Sequence, residues 1–266
     1  MRMSINDVSV TFTRAGSTVE ALKDVNLSLH EGEFVALLGP SGCGKSTLLT
    51  CLGGMMTPTK GEIIVGDSVV ESPDPRRAAF VFQDYSLLPW KNILDNVGVG
   101  LRFAGVGKQE RRERSQELLE MMGLSQWGES HPGQLSGGMQ QRVAVARALA
   151  MKPSILLMDE PFGALDEQTR RSLGESISTV LTENKQTVVL VTHSLDEAIY
   201  WADRVIVMSA RPGRIMAEVQ IRQPRPRPLE FIAQEDFAQL RSQLFLLLNE
   251  AMGHDQKANP LEPQRA

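Results

Sequence analysis

Residues 39–46, GPSGCGKS, carry the spacing G-x-x-x-x-G-K-[ST], which is suited to holding the phosphates of a nucleotide. The glycines let backbone N–H groups wrap closely around phosphate oxygens. Lys45 reaches the β- and γ-phosphates, and the Ser46 hydroxyl is a ligand for Mg²⁺. A predicted strand precedes the motif and a predicted helix follows it, so we favour a nucleotide site over a plain glycine turn. The expected nucleotide-binding residues are Gly39, Pro40, Ser41, Gly42, Cys43, Gly44, Lys45, Ser46 and Thr47.

Two carboxylates, Asp159 and Glu160, end the apolar run that begins at Ile155. Ligands of open α/β sheets bind at the carboxyl ends of the strands, so this pair is placed for chemistry. We expect Asp159 to hold Mg²⁺ through water and Glu160 to act as the general base on the attacking water. The alternative, that one carboxylate only caps the next turn, is disfavoured by the phosphate motif upstream.

Gln83 and His193 each follow a predicted buried strand. The Gln83 amide oxygen is suited to bind Mg²⁺ or the lytic water, although a glutamine in this position is often simply solvated. His193 ends a strand that should neighbour the one carrying Glu160, so we expect a contact with the γ-phosphate. The alternative for His193 is a structural role.

A second helix start of the anion-binding type follows later in the chain. Ser136, Gly137 and Gly138 leave backbone N–H groups bare at the head of a well-formed helical pattern. Such a helix start attracts anions. The sequence therefore contains two phosphate-binding helix starts, and a single nucleotide on one chain accounts for only one of them.

The elements that must position these residues alternate between strands and helices. Residues 1–30 show the period of strands, and short buried strands alternate with helices after Pro153. Helical patterns dominate from Asp84 to about Ala150. The sequence thus predicts an α/β fold with a parallel sheet and an inserted helical block.

The last part of the chain has a different character. Residues 222–228, RQPRPRP, form a basic, proline-rich segment that cannot be a helix or an inner strand. An amphipathic helix is predicted at about 230–252, with a frayed tail from about His254. We expect it either to pack on its own core or to serve as a dimer contact or regulatory appendage.

Composition excludes several classes of protein. The 266 residues carry a formal net charge of −4, which argues against a broad nucleic-acid surface. No apolar run is long enough for a membrane helix, and the N-terminus lacks a secretory signal. The two cysteines, Cys43 and Cys51, are expected on one helix about 12 Å apart, too far for a disulfide. Reduced thiols in the cytoplasm are the simplest interpretation.

Taken together, the motifs resemble those of the ABC (ATP-binding cassette) ATPases over about residues 1–220. They occur in the family's order: GPSGCGKST, FQ, LSGGMQQR, LLMDEP, GALD and THS. The resemblance implies a P-loop NTPase ABC cassette with a RecA-like parallel-sheet core, an N-terminal antiparallel β subdomain and an inserted α-helical subdomain. The implied domains are 1–221, with the helical subdomain at about 85–149, and 222–266.

The resemblance also explains the second helix start. It implies a head-to-tail dimer with a second copy of the chain, in which residues 136–138 of one copy close over the ATP bound with Mg²⁺ at Lys45 of the other. Such donors exclude water and stabilise charge in the transition state. Phe12 matches the aromatic that stacks on adenine, and Asp166 of GALD matches the acid that links the two sites. Met139 replaces a frequent glutamine.

Further motifs indicate a transport branch. LLPW (87–90) is either core packing or a groove for a membrane subunit. With DNV (95–97), followed by GL (100–101), and SARPGRI (209–215), it resembles the nitrate, sulfonate and taurine importers. This implies integral membrane permease partners at the cytoplasmic face of the cell membrane, and indirectly a solute-binding protein. The alternatives are a soluble cassette ATPase of DNA repair or translation, and a cassette of another transporter class.

Overall fold

The computed structural model describes residues 3–14, 17–163, 174 and 177–258. These residues group into two compact units. The first comprises residues 30–34 and 72–190, and the second comprises residues 3–29, 35–71 and 191–258. Each unit contains both strands and helices, as expected for an α/β fold.

An antiparallel sheet forms the N-terminal part of the second unit, as predicted. Its strands pair in the order β2-β1-β4-β5. Buried positions recur along β2, and the register pairs Val8 with Val25 and Val10 with Leu22, all of which are buried. One face of the sheet is therefore apolar. The strands are β1 (Met3–Arg14), β2 (Ser17–Leu29), β4 (Lys60–Val65) and β5 (Ser68–Val69).

The second unit also holds the phosphate motif, between strand β3 (Phe34–Leu38) and helix α1 (Lys45–Leu52). All five residues of β3 are buried, which fits an inner strand of a parallel sheet. β3 pairs in parallel with β9 (Arg204–Met208), and β10 (Ile215–Gln220) pairs antiparallel with β9.

Two helices complete the second unit. Helix α6 (Leu195–Trp201) follows the turn that contains His193. A 3₁₀ helix (Leu229–Ala233) and helix α7 (Glu235–Ala258) follow the proline-rich segment. Helix α7 thus extends beyond the predicted end at 252 and through the start of the predicted frayed tail.

In the first unit, three strands pair in the order β8-β7-β6. They are β6 (Ala78–Val81), β7 (Ile155–Asp159) and β8 (Thr187–Val191). β6 and β7 are parallel, with Ala79 opposite Leu156. Because β7 and β8 are neighbours, the strand before His193 lies beside the strand that leads to Glu160, as predicted.

The inserted block of the first unit is helical. Val97, Leu119 and Val143 form part of its buried core. None of the helices in the described ranges is long and apolar enough to cross a membrane. The helices of the block are α2 (Ile93–Val97), α3 (Val99–Phe103), α4 (Lys108–Met121), the 3₁₀ helices Ser125–Trp127 and Pro132–Gln134, and α5 (Gly137–Leu149).

Candidate nucleotide-binding site

The Lys45 side chain is folded into the loop that precedes it. Its ammonium donates to the carbonyl oxygens of Gly39 at 2.8 Å and Pro40 at 3.0 Å, and the residue is only 8% exposed. Neutral carbonyls orient the ammonium without cancelling its charge. The loop therefore presents a fixed positive charge at the start of α1.

The backbone of this loop requires glycine at Gly44. Gly44 is the N-cap of α1 with φ of 94°, and no side chain caps the helix. A Cβ at Gly44 would lie 2.6 Å from Leu22 Cδ2 and 2.9 Å from the Ala21 carbonyl oxygen. The first N–H groups of α1 are thus left for an anion, which fits the predicted phosphate cradle.

The segment 209–214 packs against the phosphate loop at Cys43. A Cβ at Gly213 would lie 1.9 Å from the Cys43 carbonyl oxygen, so only glycine fits there. Gly213 also accepts a hydrogen bond from Lys23 N at 3.0 Å and donates one to the Ala21 carbonyl at 2.9 Å. These hydrogen bonds join the SARPG turn to the antiparallel sheet, and the close approach of Gly213 to Cys43 brings the turn against the phosphate loop.

Both cysteines are buried thiols. Cys43 lies in the loop rather than on α1 as predicted, because the helix begins at Lys45. Burial raises the pKa of the Cys43 thiol, partly offset by the charge of Lys45, and raises the pKa of Cys51 to about 11. Both thiols are therefore protonated at neutral pH.

Ser46 and Phe12 are accessible, as their predicted roles require. The Ser46 side chain is exposed on the first turn of α1. Phe12 is 44% exposed on β1, opposite Val19 of β2. An exposed ring on the same unit as the phosphate loop is available to stack on a base.

His193 is exposed in the turn between β8 and α6, and the residues on both sides of it are hydrogen-bonded. The Thr192 hydroxyl donates to the Glu197 carboxylate and accepts from Ser194 N at 3.1 Å. Ser194 caps α6 by accepting from Glu197 N at 3.3 Å. The turn that presents the imidazole is thus fixed to the first turn of α6.

The acidic pair and Gln83 all lie in the first unit. Asp159 is the last residue of β7, and Glu160 has a left-handed φ of 45°, unusual for a residue with a side chain. The Gly163 N–H donates to the Glu160 carbonyl at 3.1 Å, which closes the turn. A Cβ at Gly163 would lie 3.3 Å from Gln83 Nε2, so the Gln83 amide lies against this turn, as its predicted role requires.

The second helix start is rich in glycine and has a serine cap. Ser136 is the N-cap of α5, and its hydroxyl accepts from Met139 N at 3.4 Å. This contact uses the Met139 backbone, so it does not depend on the side chain at that position. Ser136 is exposed, and Gly137 and Gly138 form the first turn of the helix without side chains that could cover its N–H groups.

Two residues to which the sequence assigns no structural role hold the segment after Gln83. The half-buried Arg147 guanidinium donates to the carbonyls of Tyr85 and Ser86, both at 2.7 Å, and partial burial lowers its pKa. The buried Asn96 side chain accepts from Leu88 N at 2.7 Å and donates to the Leu88 carbonyl at 3.1 Å. Only their helical positions, Arg147 on α5 and Asn96 on α2, were visible in the sequence.

The predicted residues thus divide between the units. The second unit carries the phosphate loop, Phe12 and His193, and the first carries Gln83, Asp159, Glu160 and residues 136–138. Asp166 lies outside the described residues. Within the described part of the chain, no group of three or more His, Cys, Asp or Glu side chains gathers to hold a metal. Of the expected Mg²⁺ ligands, Ser46 lies in the second unit, and Gln83 and Asp159 lie in the first.

A family model and several relatives match this chain over much of its length. A family model described as ABC transporter matches residues 22–163. The chain is 46% identical over 220 residues to a taurine import ATP-binding protein of Rhizobium johnstonii, covering 82% of this chain and 84% of the relative. It is 41% identical over 252 residues to a nitrate import ATP-binding protein of Synechococcus elongatus, covering 93% and 92%.

A solved structure extends the similarity to three dimensions. It is a dimeric ATP-binding cassette in a post-hydrolysis state, bound to ADP and inorganic phosphate. The chain matches it with a TM-score of 0.73 and 37% identity, covering 84% of this chain and 100% of that one. The parallel strands, antiparallel sheet and helical insert are therefore those of a nucleotide-binding cassette, which confirms the predicted fold.

Fold and site define an ATPase of the P-loop class that carries a second, glycine-rich helix start. The chain belongs to the ABC transporter family. Its relatives also confirm the nitrate, sulfonate and taurine branch indicated by LLPW and SARPGRI.

Proposed function

We propose that this chain is the ATP-hydrolysing subunit of an importer for a small anion, with two copies enclosing two ATP molecules. The observation that carries the proposal is the Lys45 ammonium held inside the phosphate loop by two carbonyls, beside an uncapped helix start. A triphosphate supplies the negative charge that this arrangement leaves unpaired.

Each side chain then has a role in hydrolysis. Phe12 stacks on the adenine, and Lys45 with the loop N–H groups binds the β- and γ-phosphates. Ser46, Gln83 and Asp159 would hold Mg²⁺, which when bound neutralises charge on the phosphates. Glu160 accepts a proton from water as the water oxygen bonds to the γ-phosphorus. The bond from that phosphorus to the bridging oxygen breaks, and ADP and phosphate leave. His193 contacts the γ-phosphate.

The head-to-tail partner completes each pocket. Ser136, Gly137 and Gly138 of one copy cover the γ-phosphate bound by the other copy, with Asp166 linking the two pockets. Two features support this role: Ser136 is exposed, and the first turn of α5 begins with two glycines. The backbone N–H groups of a helix start can bind an anion, and these lie far from the phosphate loop in sequence. Two pockets formed by one repeated interface require two-fold symmetry.

The surface after Gln83 supports transport. Trp90 is 73% exposed, so the LLPW segment is not simply core packing. Asn96 and Arg147 fix the backbone around it, which gives a permease helix a rigid surface to dock against. We propose that the chain binds peripherally at the cytoplasmic face of the cell membrane, and that a solute-binding protein delivers the anion to the permease.

The relatives suggest the cargo and the domain limits. Taurine carries a sulfonate and nitrate is an oxyanion, and the import proteins named for them are similar to this chain. We propose a sulfonate, taurine or nitrate-type anion as cargo. We also propose residues 1–221 as the ATPase domain, with the helical subdomain at about 85–149, and residues 222–266 as an appended segment.

Glu160→Gln tests the proposed chemistry, because glutamine keeps the shape of the side chain and removes the base. We expect ATP binding to persist while hydrolysis falls by at least about 100-fold, so that an ATP-bound dimer accumulates. Size-exclusion chromatography with ATP and a phosphate-release assay measure both effects. Glu71→Gln, at an exposed glutamate, is the matched control. Normal turnover by Glu160→Gln would remove Glu160 as the base.

A further inference from the structure

A buried arginine holds the proline-rich segment (222–228) against helix α6. Arg227 is 5% exposed. Its Nη1 donates to the carbonyls of Ile199 at 3.0 Å and Tyr200 at 2.9 Å, in the last turn of α6. A guanidinium at this place satisfies carbonyls that a helix end leaves open and complements the helix dipole.

Two further contacts strengthen this attachment. The Tyr200 hydroxyl donates to the Arg227 carbonyl at 2.6 Å, so each of the two residues donates a side-chain hydrogen bond to the backbone carbonyl of the other. Arg225 donates to both carboxylate oxygens of Asp203, at 2.9 and 2.8 Å. Because Asp203 lies directly after α6, both arginines bind at the C-terminal end of that helix.

The N-terminal end of α6 is held as well. Arg241 of α7 donates to the Asp196 carboxylate at 2.8 Å, and Asp196 lies in the first turn of α6. The residues from 222 to 241, which we name the C-terminal strap, therefore contact α6 at both ends. A seven-residue helix is marginal by itself, so such contacts decide how well it is ordered.

Helix α6 in turn fixes the turn that carries His193. The Glu197 carboxylate accepts a hydrogen bond from the Thr192 hydroxyl, and the Glu197 N–H donates one to the Ser194 hydroxyl. Helix α6 is therefore hydrogen-bonded to the residue before His193 and to the residue after it. Motion of α6 therefore moves the imidazole. Hydrogen bonds thus lead from Arg227 through α6 to Thr192 and Ser194, the two neighbours of His193 in the chain.

We propose that the C-terminal strap positions His193 for hydrolysis, with Arg227 as the principal positioning residue. The proposal rests on the proposed function, in which His193 contacts the γ-phosphate. Loss of Arg227 releases the last turn of α6 and lets the His193 turn shift. Displacement of a catalytic group by about 1 Å lowers turnover by up to about 100-fold.

Arg227→Met is the first variant to test, because methionine fills the space of the stem and removes the hydrogen bonds. We expect kcat for ATP hydrolysis to fall by about 10-fold while KM changes by less than about 2-fold, since the phosphate loop is untouched. Arg222→Met, at an exposed arginine of the same strap, is the matched control and should retain the parent kcat. Unchanged kcat in folded Arg227→Met would overturn the proposal.

A double-mutant cycle separates positioning of His193 from general damage. His193→Ala lowers kcat, and in that background Arg227→Met should cause no further loss. A full additional 10-fold loss would overturn the strap's action through His193. If His193→Ala alone leaves kcat unchanged, the role of His193 in the proposed function fails, and the strap proposal with it.

A second pair of variants applies if Arg227→Met does not fold. Asp196→Arg and Arg241→Asp each break the exposed ion pair, and the combined exchange can form it in reverse. We expect each single variant to lower kcat about 3-fold and the combination to recover most of it. The proposal would be overturned if each single variant, with His193 intact and a normal melting curve, kept the full kcat of the parent protein.

Discussion

Lys45 is the residue on which the proposed nucleotide binding depends most directly. Its ammonium is positioned by two backbone carbonyls, which accept hydrogen bonds without carrying a full negative charge. The charge is thus oriented in advance and remains available to a phosphate. A charge-assisted hydrogen bond of this kind is worth about 1.5–3 kcal/mol.

Lys45→Met should therefore weaken ATP binding by about 10- to 100-fold, because the side chain keeps its length and loses its charge. Isothermal titration calorimetry with ATP measures the change. Lys108→Met, at an exposed lysine in the helical block, should bind ATP as the parent does. Retained affinity in Lys45→Met would contradict the phosphate-clamp role.

The raised thiol pKa values give a pH-dependent prediction. Because the pKa of Cys51 is about 11 in the folded protein, only about 0.1% of this thiol is ionised at pH 8, against roughly a quarter of a free cysteine. We expect iodoacetamide to modify the native protein at pH 8 at least about 100-fold more slowly than the urea-unfolded protein. Mass spectrometry of timed samples measures the rates, and rapid native labelling of Cys51 would contradict its burial.

Some site residues could be predicted from the sequence and others could not. Lys45, Glu160 and Ser136 stand in short motifs, where spacing along the chain alone fixes their geometry. Arg147 binds backbone carbonyls about 60 residues earlier in the chain, and Asn96 binds the carbonyl of Leu88, eight residues earlier. Every residue type has a backbone carbonyl, so the sequence does not indicate which carbonyl a side chain binds. Their roles needed the folded structure.

At the scale of elements, the phosphate loop depends on the turn behind it. In the sequence SARPGRI indicates the importer branch but not its contact with the loop, because the close approach of Gly213 to Cys43 joins residues distant in the chain. In the structure this close approach holds the turn against the phosphate loop at Cys43. The turn is therefore part of the site's support.

Gly213→Ala should damage both stability and nucleotide binding. The added Cβ would lie 1.9 Å from the Cys43 carbonyl oxygen and 3.1 Å from the Ala21 carbonyl oxygen, so backbone must move. We expect a loss of about 2–4 kcal/mol in the free energy of unfolding and weaker ATP binding. Urea unfolding and calorimetry measure these effects.

Gly107→Ala is the control for this substitution. A Cβ there meets no heavy atom within 4 Å, and its φ of −57° is accessible to alanine. We expect the free energy of unfolding to change by less than about 1 kcal/mol, with ATP binding unchanged. Equal effects of the two substitutions would contradict the assigned contact with the phosphate loop.

At the scale of the whole molecule, alternation of strands and helices predicted the α/β fold, and the ordered motifs predicted the family. The C-terminal strap was not foreseen. RQPRPRP has the composition of a linker, and composition does not reveal that Arg227 is buried against the end of α6. A buried arginine is recognisable only once its partner carbonyls are located.

The central claim is that each ATP pocket is formed by two chains, and mixing two inactive variants tests it most directly. Lys45→Met removes the phosphate clamp, and Ser136→Arg blocks the covering helix start. In a mixed dimer, one pocket contains both defects and the other contains neither. We expect each variant alone to be nearly inactive, and an equal mixture to recover about a quarter of the parent ATPase rate. If the mixture stays as inactive as its components, although cross-linking shows mixed dimers, the pocket is not shared.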